Sequence, residues 1–177
     1  TILTTSEIIN NNIETLQSGT VIFNDLSDAQ YNQILTPYFS ASIGKHFRHI
    51  LDHYVCFLKG INEGHISYDQ RQRDPAIETQ RLYTLEKVQQ LIAKLQSLTS
   101  VDDMPVKVSL SSSPDIPCTQ PAQSSLAREL IFLQGHTTHH YAIISTQLKF
   151  MEFPVDDNFG VAASTQLYNK QQSSCAQ

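Results

Sequence analysis

The sequence has few charged residues, and the charge that it carries is mostly negative. Lysine, arginine, aspartate and glutamate together make up 16% of its 177 residues, and the formal net charge is −5. The basic residues are scattered along the chain, whereas a nucleic-acid-binding surface needs them clustered against the phosphates. We therefore expect no nucleic-acid partner.

Long apolar runs are also missing. The longest, around Leu130 to Leu133, is much shorter than the roughly 20 residues needed to cross a bilayer. No basic-then-apolar leader opens the printed sequence, so we expect a cytosolic protein without a membrane partner. The three cysteines, Cys56, Cys118 and Cys175, form no Cys-x-x-Cys pair, and their odd number favours reduced thiols over a disulfide framework.

The sequence lacks the signature motifs of several enzyme classes. It contains no His-Glu-x-x-His of zinc proteases, no Gly-x-Ser-x-Gly of serine hydrolases, no phosphate-binding loop and no paired Glu-x-x-His of di-iron bundles. These absences favour a mononuclear site if the chain binds a metal.

Apolar residues recur at helical spacing in four principal segments. The predicted helices cover residues 5–16, 40–63, 75–98 and 125–153, and a short helical piece covers 27–35. Ser6 is the predicted N-cap of the first helix, and Gly19 is expected just beyond its end. The third principal helix, which begins after the Asp74-Pro75 pair, has this predicted inner face: Ile77, Leu82, Leu85, Val88, Leu91, Ile92 and Leu95.

Residues 100–124 interrupt the helical pattern with four prolines and a serine triplet. Alternating Val106, Val108 and Leu110 allow a short extended piece, but no convincing sheet is expected. The predicted fold is all-α: an up-down four-helix bundle with a long crossover before the last helix. We expect a single domain over residues 1–177, with a core of 5–153 and a C-terminal extension of 154–177. In that extension, 159–163 should pack on the bundle and the polar remainder should fray.

The last predicted helix carries His136, His139 and His140 within five residues. The apolar stripe that begins at Leu126 reaches His136 and His140 by steps of three and four, which predicts that both face the interior. Side chains at positions i and i+4 are close enough for both imidazoles to bind one ion. His139 is rotated by about 100° from His140 and should point away.

A third ligand would have to come from another helix. The helix predicted over 40–63 offers His46, His49 and His53, and periodicity does not choose among them, because His46 and His53 lie closer to the apolar seam than His49 does. His65, just after this helix, is expected in an exposed loop.

Two segments resemble the DinB-like family of four-helix-bundle metalloproteins, which includes bacillithiol- and mycothiol-dependent transferases. Residues 48–53, RHILDH, look like the histidine segment of that family's second long helix, and residues 136–144, HTTHHYAII, look like its last-helix motif. The resemblance spans roughly residues 40–151. It implies that His49, His136 and His140 are the metal ligands.

Three neutral imidazoles leave coordination positions open for water or substrate, as in catalytic sites. The cofactor implied by the resemblance is one divalent transition-metal ion, for which zinc, nickel, iron and manganese are all candidates. A low-molecular-weight thiol is a second candidate cofactor.

Other polar residues can contribute to such a site. Arg71 and Arg73 can hold a carboxylate or the acidic groups of a thiol, although a solvated loop with internal ion pairs explains them equally well. Asp52, which is expected to face solvent, and Glu129 can support a ligand or act as general base toward a water in the site. His53 can line the pocket or relay a proton.

Three functions fit these features. The first is a metal-dependent enzyme, either a hydrolase or a thiol S-transferase, acting on a small-molecule substrate. The second is a metal- or small-ligand-binding bundle without turnover. The third is a structural bundle whose histidines are satisfied core residues. A homodimer is compatible with each of them.

Overall fold

The computed structural model describes residues 3–117 and 120–175, and the chain it describes is mostly helical. Cys118 lies outside the described residues. In chain order the elements are α1 (Thr5–Thr20), a 3-10 turn (Val21–Asn24), α2 (Asp28–Asn32), α3 (Ile43–Glu63), β1 (His65–Ser67), α4 (Pro75–Thr79), α5 (Arg81–Gln96), β2 (Pro105–Ser109), β3 (Ala122–Ser125), α6 (Leu126–Phe150) and α7 (Ala163–Cys175). Among the described residues, no helix combines the length and the apolar character that crossing a membrane requires.

The long helices surround one apolar core. Both α1 and α3 lie against α5 and α6. The predicted seam of α3 is confirmed, because all of its members are buried: Ile43, Phe47, Ile50, Tyr54, Phe57 and Ile61. Burial of such side chains, at about 25 cal/mol per Å² of apolar area, is the main driving force for this packing.

A buried polar network joins three of these helices. The Tyr54 hydroxyl donates to Oδ1 of Asn12 at 2.7 Å, and Nδ2 of Asn12 donates to the carbonyl oxygen of Leu130 at 3.0 Å. Thr137 of α6 donates to the Tyr54 hydroxyl oxygen at 3.4 Å. Because an unpaired polar group in the core is costly, this network favours one alignment of α1, α3 and α6.

Helix α1 starts at Thr5, as predicted, and ends at Thr20, later than the predicted residue 16. Thr4, and not Ser6, is its N-cap, because Thr4 and Glu7 form a reciprocal capping box. Gly19 lies inside the helix, where a Cβ would be 2.2 Å from the hydroxyl oxygen of Tyr141. This glycine therefore allows close packing of α6 and does not terminate α1.

The helix predicted over 75–98 is broken at Gln80, whose φ of −112° and ψ of 93° are not helical. The carbonyl oxygen of Ile77 accepts hydrogen bonds from Tyr31 and Thr84 instead of continuing a helical ladder. The break turns Leu82 outward to 65% exposure, so its predicted place on the inner face is wrong.

A small sheet is present where none was expected. Strand β1 pairs in parallel with β2, and β2 pairs antiparallel with β3, with His65 opposite Lys107 and Val106 opposite Ser124. Gly64, at φ 70°, ends α3 in the left-handed conformation that glycine adopts readily. Residues 105–109 are extended, as the alternating valines allowed, whereas the three-residue β1 and the polar β3 carry no alternating pattern that would predict a strand.

The C-terminal extension is more ordered than predicted. Phe159 is buried and packs on Tyr141 with ring centroids 4.8 Å apart, which confirms the expected contact with the helical core. The polar remainder forms α7 instead of fraying.

Candidate metal centre

His136 and His140 lie on the same face of α6, at the edge of its buried stripe and not at its centre. The fully buried positions are Thr137 and Tyr141, and both histidines are half-buried beside them. The predicted phase was thus one residue off. His139 is exposed, as expected.

Helix α3 places His49 opposite this pair. The ring centroid of His49 lies 4.9 Å from that of His136 and 4.7 Å from that of His140. The centroids of His136 and His140 are also 4.7 Å apart. Each histidine offers one nitrogen such that the three atoms lie within 4.8 Å of one another. The structure therefore brings together the three histidines that the family resemblance implied.

The closest pair of nitrogens has a separation suited to a shared ion. Nε2 of His49 lies 3.1 Å from Nε2 of His136. Two nitrogens bonded to one ion at about 2.0–2.1 Å, and about 90–110° apart, are separated by about 2.8–3.4 Å. Nδ1 of His136 is buried and has no hydrogen-bond partner. The donor set therefore fits a borderline transition-metal ion such as zinc or nickel.

The electrostatic environment keeps these imidazoles neutral. Burial is the main cause that lowers the pKa of His49 from 6.5 to about 4, and of His136 and His140 to about 3, and neighbouring histidines act in the same direction. A neutral imidazole has a free lone pair, which a metal ligand requires.

His46 touches the site from one side. Its Nδ1 lies 2.9 Å from Nδ1 of His140, and burial lowers its pKa. The sequence left His46 open as a third ligand or as a residue that lines the pocket, and the structure places it in contact with His140.

Two stacked rings, those of His53 and Tyr68, form an aromatic wall on the His136 side of the three-histidine cluster. His53 is buried and stacks on His136 with centroids 4.1 Å apart, and the ring of Tyr68 lies 5.4 Å away on His53. The Tyr68 hydroxyl donates to Oε2 of Glu129 at 2.8 Å, and the Ser124 hydroxyl donates to Oε1 at 2.6 Å. Glu129 thus holds the wall in place through Tyr68, and the structure shows no contact between its carboxylate and the three histidines.

Asp52 is buried, which corrects the expectation that it faces solvent. Arg48 donates to it at 2.8 Å and to Glu78 of α4 at 3.0 Å. Burial raises the pKa of Asp52, while the Arg48 charge opposes this shift. Asp52 is only 7% exposed, and its ion pair with Arg48 lies within α3, whereas the Arg48 to Glu78 pair joins α3 to α4.

Arg71 and Arg73, which follow β1 in the same loop, contact different parts of the protein. Nη1 of Arg71 lies 3.1 Å from Nδ1 of His49, so Arg71 is part of the site. Arg73, with a left-handed φ of 49°, lines a separate cavity of about 380 Å³ together with residues of α3 and α5.

Sequence reasoning missed several contributors. Tyr68 contacts His53 from a distant segment, and no local pattern indicates it. Phe132 carried a usable signal, since it precedes His136 by four residues on the same helix. Arg48 carried a usable signal, since it precedes Asp52 by four residues on a helix.

Comparison with known proteins adds little to this picture. No protein-family model matches the chain. FK506-binding protein 5 of the fungus Rhizopus delemar is 28% identical to it over 108 residues, which are 60% of this chain and 28% of that protein. The chain therefore spans well under two thirds of that relative's length, and the similarity leaves the DinB-like resemblance a prediction.

Proposed function

We propose that this chain is a DinB-like metalloprotein that binds one divalent transition-metal ion through His49, His136 and His140. The observation that carries the proposal is the convergence of three half-buried imidazole nitrogens within 4.8 Å. Burying imidazoles without partners is costly, and a shared ion would offset that cost.

The arrangement of the long helices supports the bundle part of the proposal. Helices α1 and α3 each lie against α5 and α6, and a long connection joins α5 to α6. An up-down four-helix bundle with a crossover before its last helix has these features. The sheet β1–β2–β3 then belongs to the connections.

An enzymatic role follows from the incomplete coordination sphere. When bound, an ion with three histidine ligands can activate water or a low-molecular-weight thiol as a nucleophile. His53 donates through Nδ1 to the backbone carbonyl oxygen of His49 at 2.9 Å, which leaves its Nε2 as a proton acceptor. The proposed activity is thus that of a thiol S-transferase or a hydrolase acting on a small molecule.

The alternative from another class is a bundle that binds metal without turnover. The contact between Arg71 and His49 favours it in one respect, because the guanidinium has a partner within the protein and needs no substrate to supply one.

Metal content followed by an activity screen tests both proposals. Protein purified without an affinity tag is expected to hold about one ion per chain by elemental analysis, or to take up that amount of added zinc or nickel. Conjugation of low-molecular-weight thiols to an electrophile, lost in His136→Ala and kept in His139→Ala, would support the transferase.

Uptake of metal without conjugation or hydrolysis would favour the binding bundle. Protein that neither holds nor takes up metal would contradict the metal site itself and favour the structural bundle.

A further inference from the structure

Arg71 donates a hydrogen bond to a histidine of the proposed metal site. Its Nη1 lies 3.1 Å from Nδ1 of His49. A guanidinium has five donors and no acceptor, so the imidazole nitrogen must accept. Nδ1 of His49 therefore carries no proton in this arrangement, and Nε2 carries it instead.

The same reasoning extends to the next histidine. Since Nε2 of His49 carries the proton, it donates to Nε2 of His136 at 3.1 Å. Nδ1 of His136 then holds that ring's proton, and this buried atom has no partner. The hydrogen bond from Arg71 thus sets the tautomers of both rings.

Metal binding conflicts with this arrangement. If neutral His49 binds an ion through Nε2, its proton must be on Nδ1, where it faces the Nη1 donor of Arg71. Two donors cannot share a hydrogen bond, and the guanidinium charge also repels the ion. The Arg71 to His49 contact must therefore break when a metal binds there.

The released guanidinium has no obvious partner among the described residues. Arg71 forms no ion pair there, and its Nε is buried without a hydrogen bond. Asp52 is already bonded to Arg48 at 2.8 Å. Arg71 is half-buried, and its charge lowers the pKa of Asp52 without forming an ion pair with it. A partly desolvated guanidinium with no bonded counterion favours an anion, so the loaded site favours one beside Arg71.

We propose that Arg71 binds the carboxylate of an anionic substrate, and that metal binding frees it to do so. This inference rests on the proposed metal site. The planar fork of arginine matches a carboxylate, with which it forms two parallel hydrogen bonds. The metal and the anion should then bind cooperatively, with the metal first.

Binding of ¹³C-labelled acetate, followed by NMR, tests the proposal in zinc-loaded and metal-free protein. We expect acetate to bind the zinc-loaded wild type and to bind the metal-free form at least about tenfold more weakly, as loss of a charge-assisted hydrogen bond implies. Acetamide, which has the same shape without the charge, should bind neither form.

Arg71→Met and Arg73→Met remove the same charge from the same loop. Arg71→Met should take up zinc at least as tightly as the wild type and lose about tenfold or more in acetate affinity, while Arg71→Lys, which keeps the charge, loses less. Arg73→Met should match the wild type. One zinc per chain in each variant shows that the site is folded.

Each other outcome identifies a specific error. A wild type that takes up no zinc would overturn the metal site and this proposal with it. Zinc uptake combined with equal acetate binding by Arg71→Met and the wild type would overturn only the role of Arg71. Weaker zinc binding by Arg71→Met would show that Arg71 supports the ligands and does not compete with the ion.

Discussion

Nδ1 of His46 lies 2.9 Å from Nδ1 of His140, so one of these rings must donate a proton to the other. If Nδ1 of His140 is the donor, its Nε2 carries the lone pair that a metal requires. A partner that holds a ligand ring in this way sets its tautomer and its orientation, and we expect this role for His46.

We expect His46→Ala to weaken zinc binding by about 10- to 100-fold without abolishing it, as loss of such supporting contacts does. Competition with a chromophoric chelator measures the affinity. His139→Ala is the matched control, because it also removes a histidine whose ring neighbours that of His140. His139 is exposed, so its removal should leave the site intact. Complete loss of binding in His46→Ala would make His46 a ligand itself.

Replacing any of His49, His136 and His140 by alanine should abolish stoichiometric zinc uptake, because only two imidazoles would remain. His65→Ala serves as control, since its ring lies on β1 and bonds Ser109 at 2.7 Å. Isothermal titration of the four variants is the measurement. Equal affinity in His49→Ala and the wild type would transfer the third ligand to another residue.

The stability of the metal-free protein should fall as the pH decreases. The pKa of His49 is lowered to about 4, and those of His136 and His140 to about 3, from 6.5. Below about pH 6.5 the unfolded chain binds protons that the folded chain excludes, so protonation favours unfolding. Urea denaturation between pH 7 and pH 4 should show this slope, and His140→Gln should reduce it. An unchanged slope in that variant would contradict the lowered pKa.

Two glycine substitutions in helices should have opposite effects. A Cβ at Gly19 would lie 2.2 Å from the Tyr141 hydroxyl oxygen, so Gly19→Ala should lower the free energy of unfolding by about 1–3 kcal/mol. A Cβ at Gly135 meets nothing within 4 Å, so Gly135→Ala should raise it by up to about 1 kcal/mol through helix propensity. Chemical denaturation compares the two, and equal effects would mean that Tyr141 moves aside at little cost.

Local features of the chain were predictable where neighbours in sequence decide them. The helix start at the Asp74-Pro75 pair depends on the Asp74 side chain, which accepts a hydrogen bond from the backbone N–H of Ala76 in the first turn of α4. The pairing of His136 with His140 depends only on the pitch of one helix. The helix break at Gln80 was not predictable, because hydrogen bonds that cross from other segments to Ile77 accompany it.

The sequence by itself determined the long helical segments, the buried seam of α3 and the adjacency of His136 and His140, since helical periodicity relates residues a few positions apart. It did not determine the break at Gln80 or helix α7. Periodicity did not decide which histidine of α3 lies against both His136 and His140; the resemblance implied His49, and the tertiary structure places it there, because the answer depends on how α3 and α6 cross. The tertiary structure also decided the burial of Asp52 and the contact of Arg71 with His49, since each requires a partner that another segment supplies. Packing against the whole core sets such crossings, and no local pattern records them.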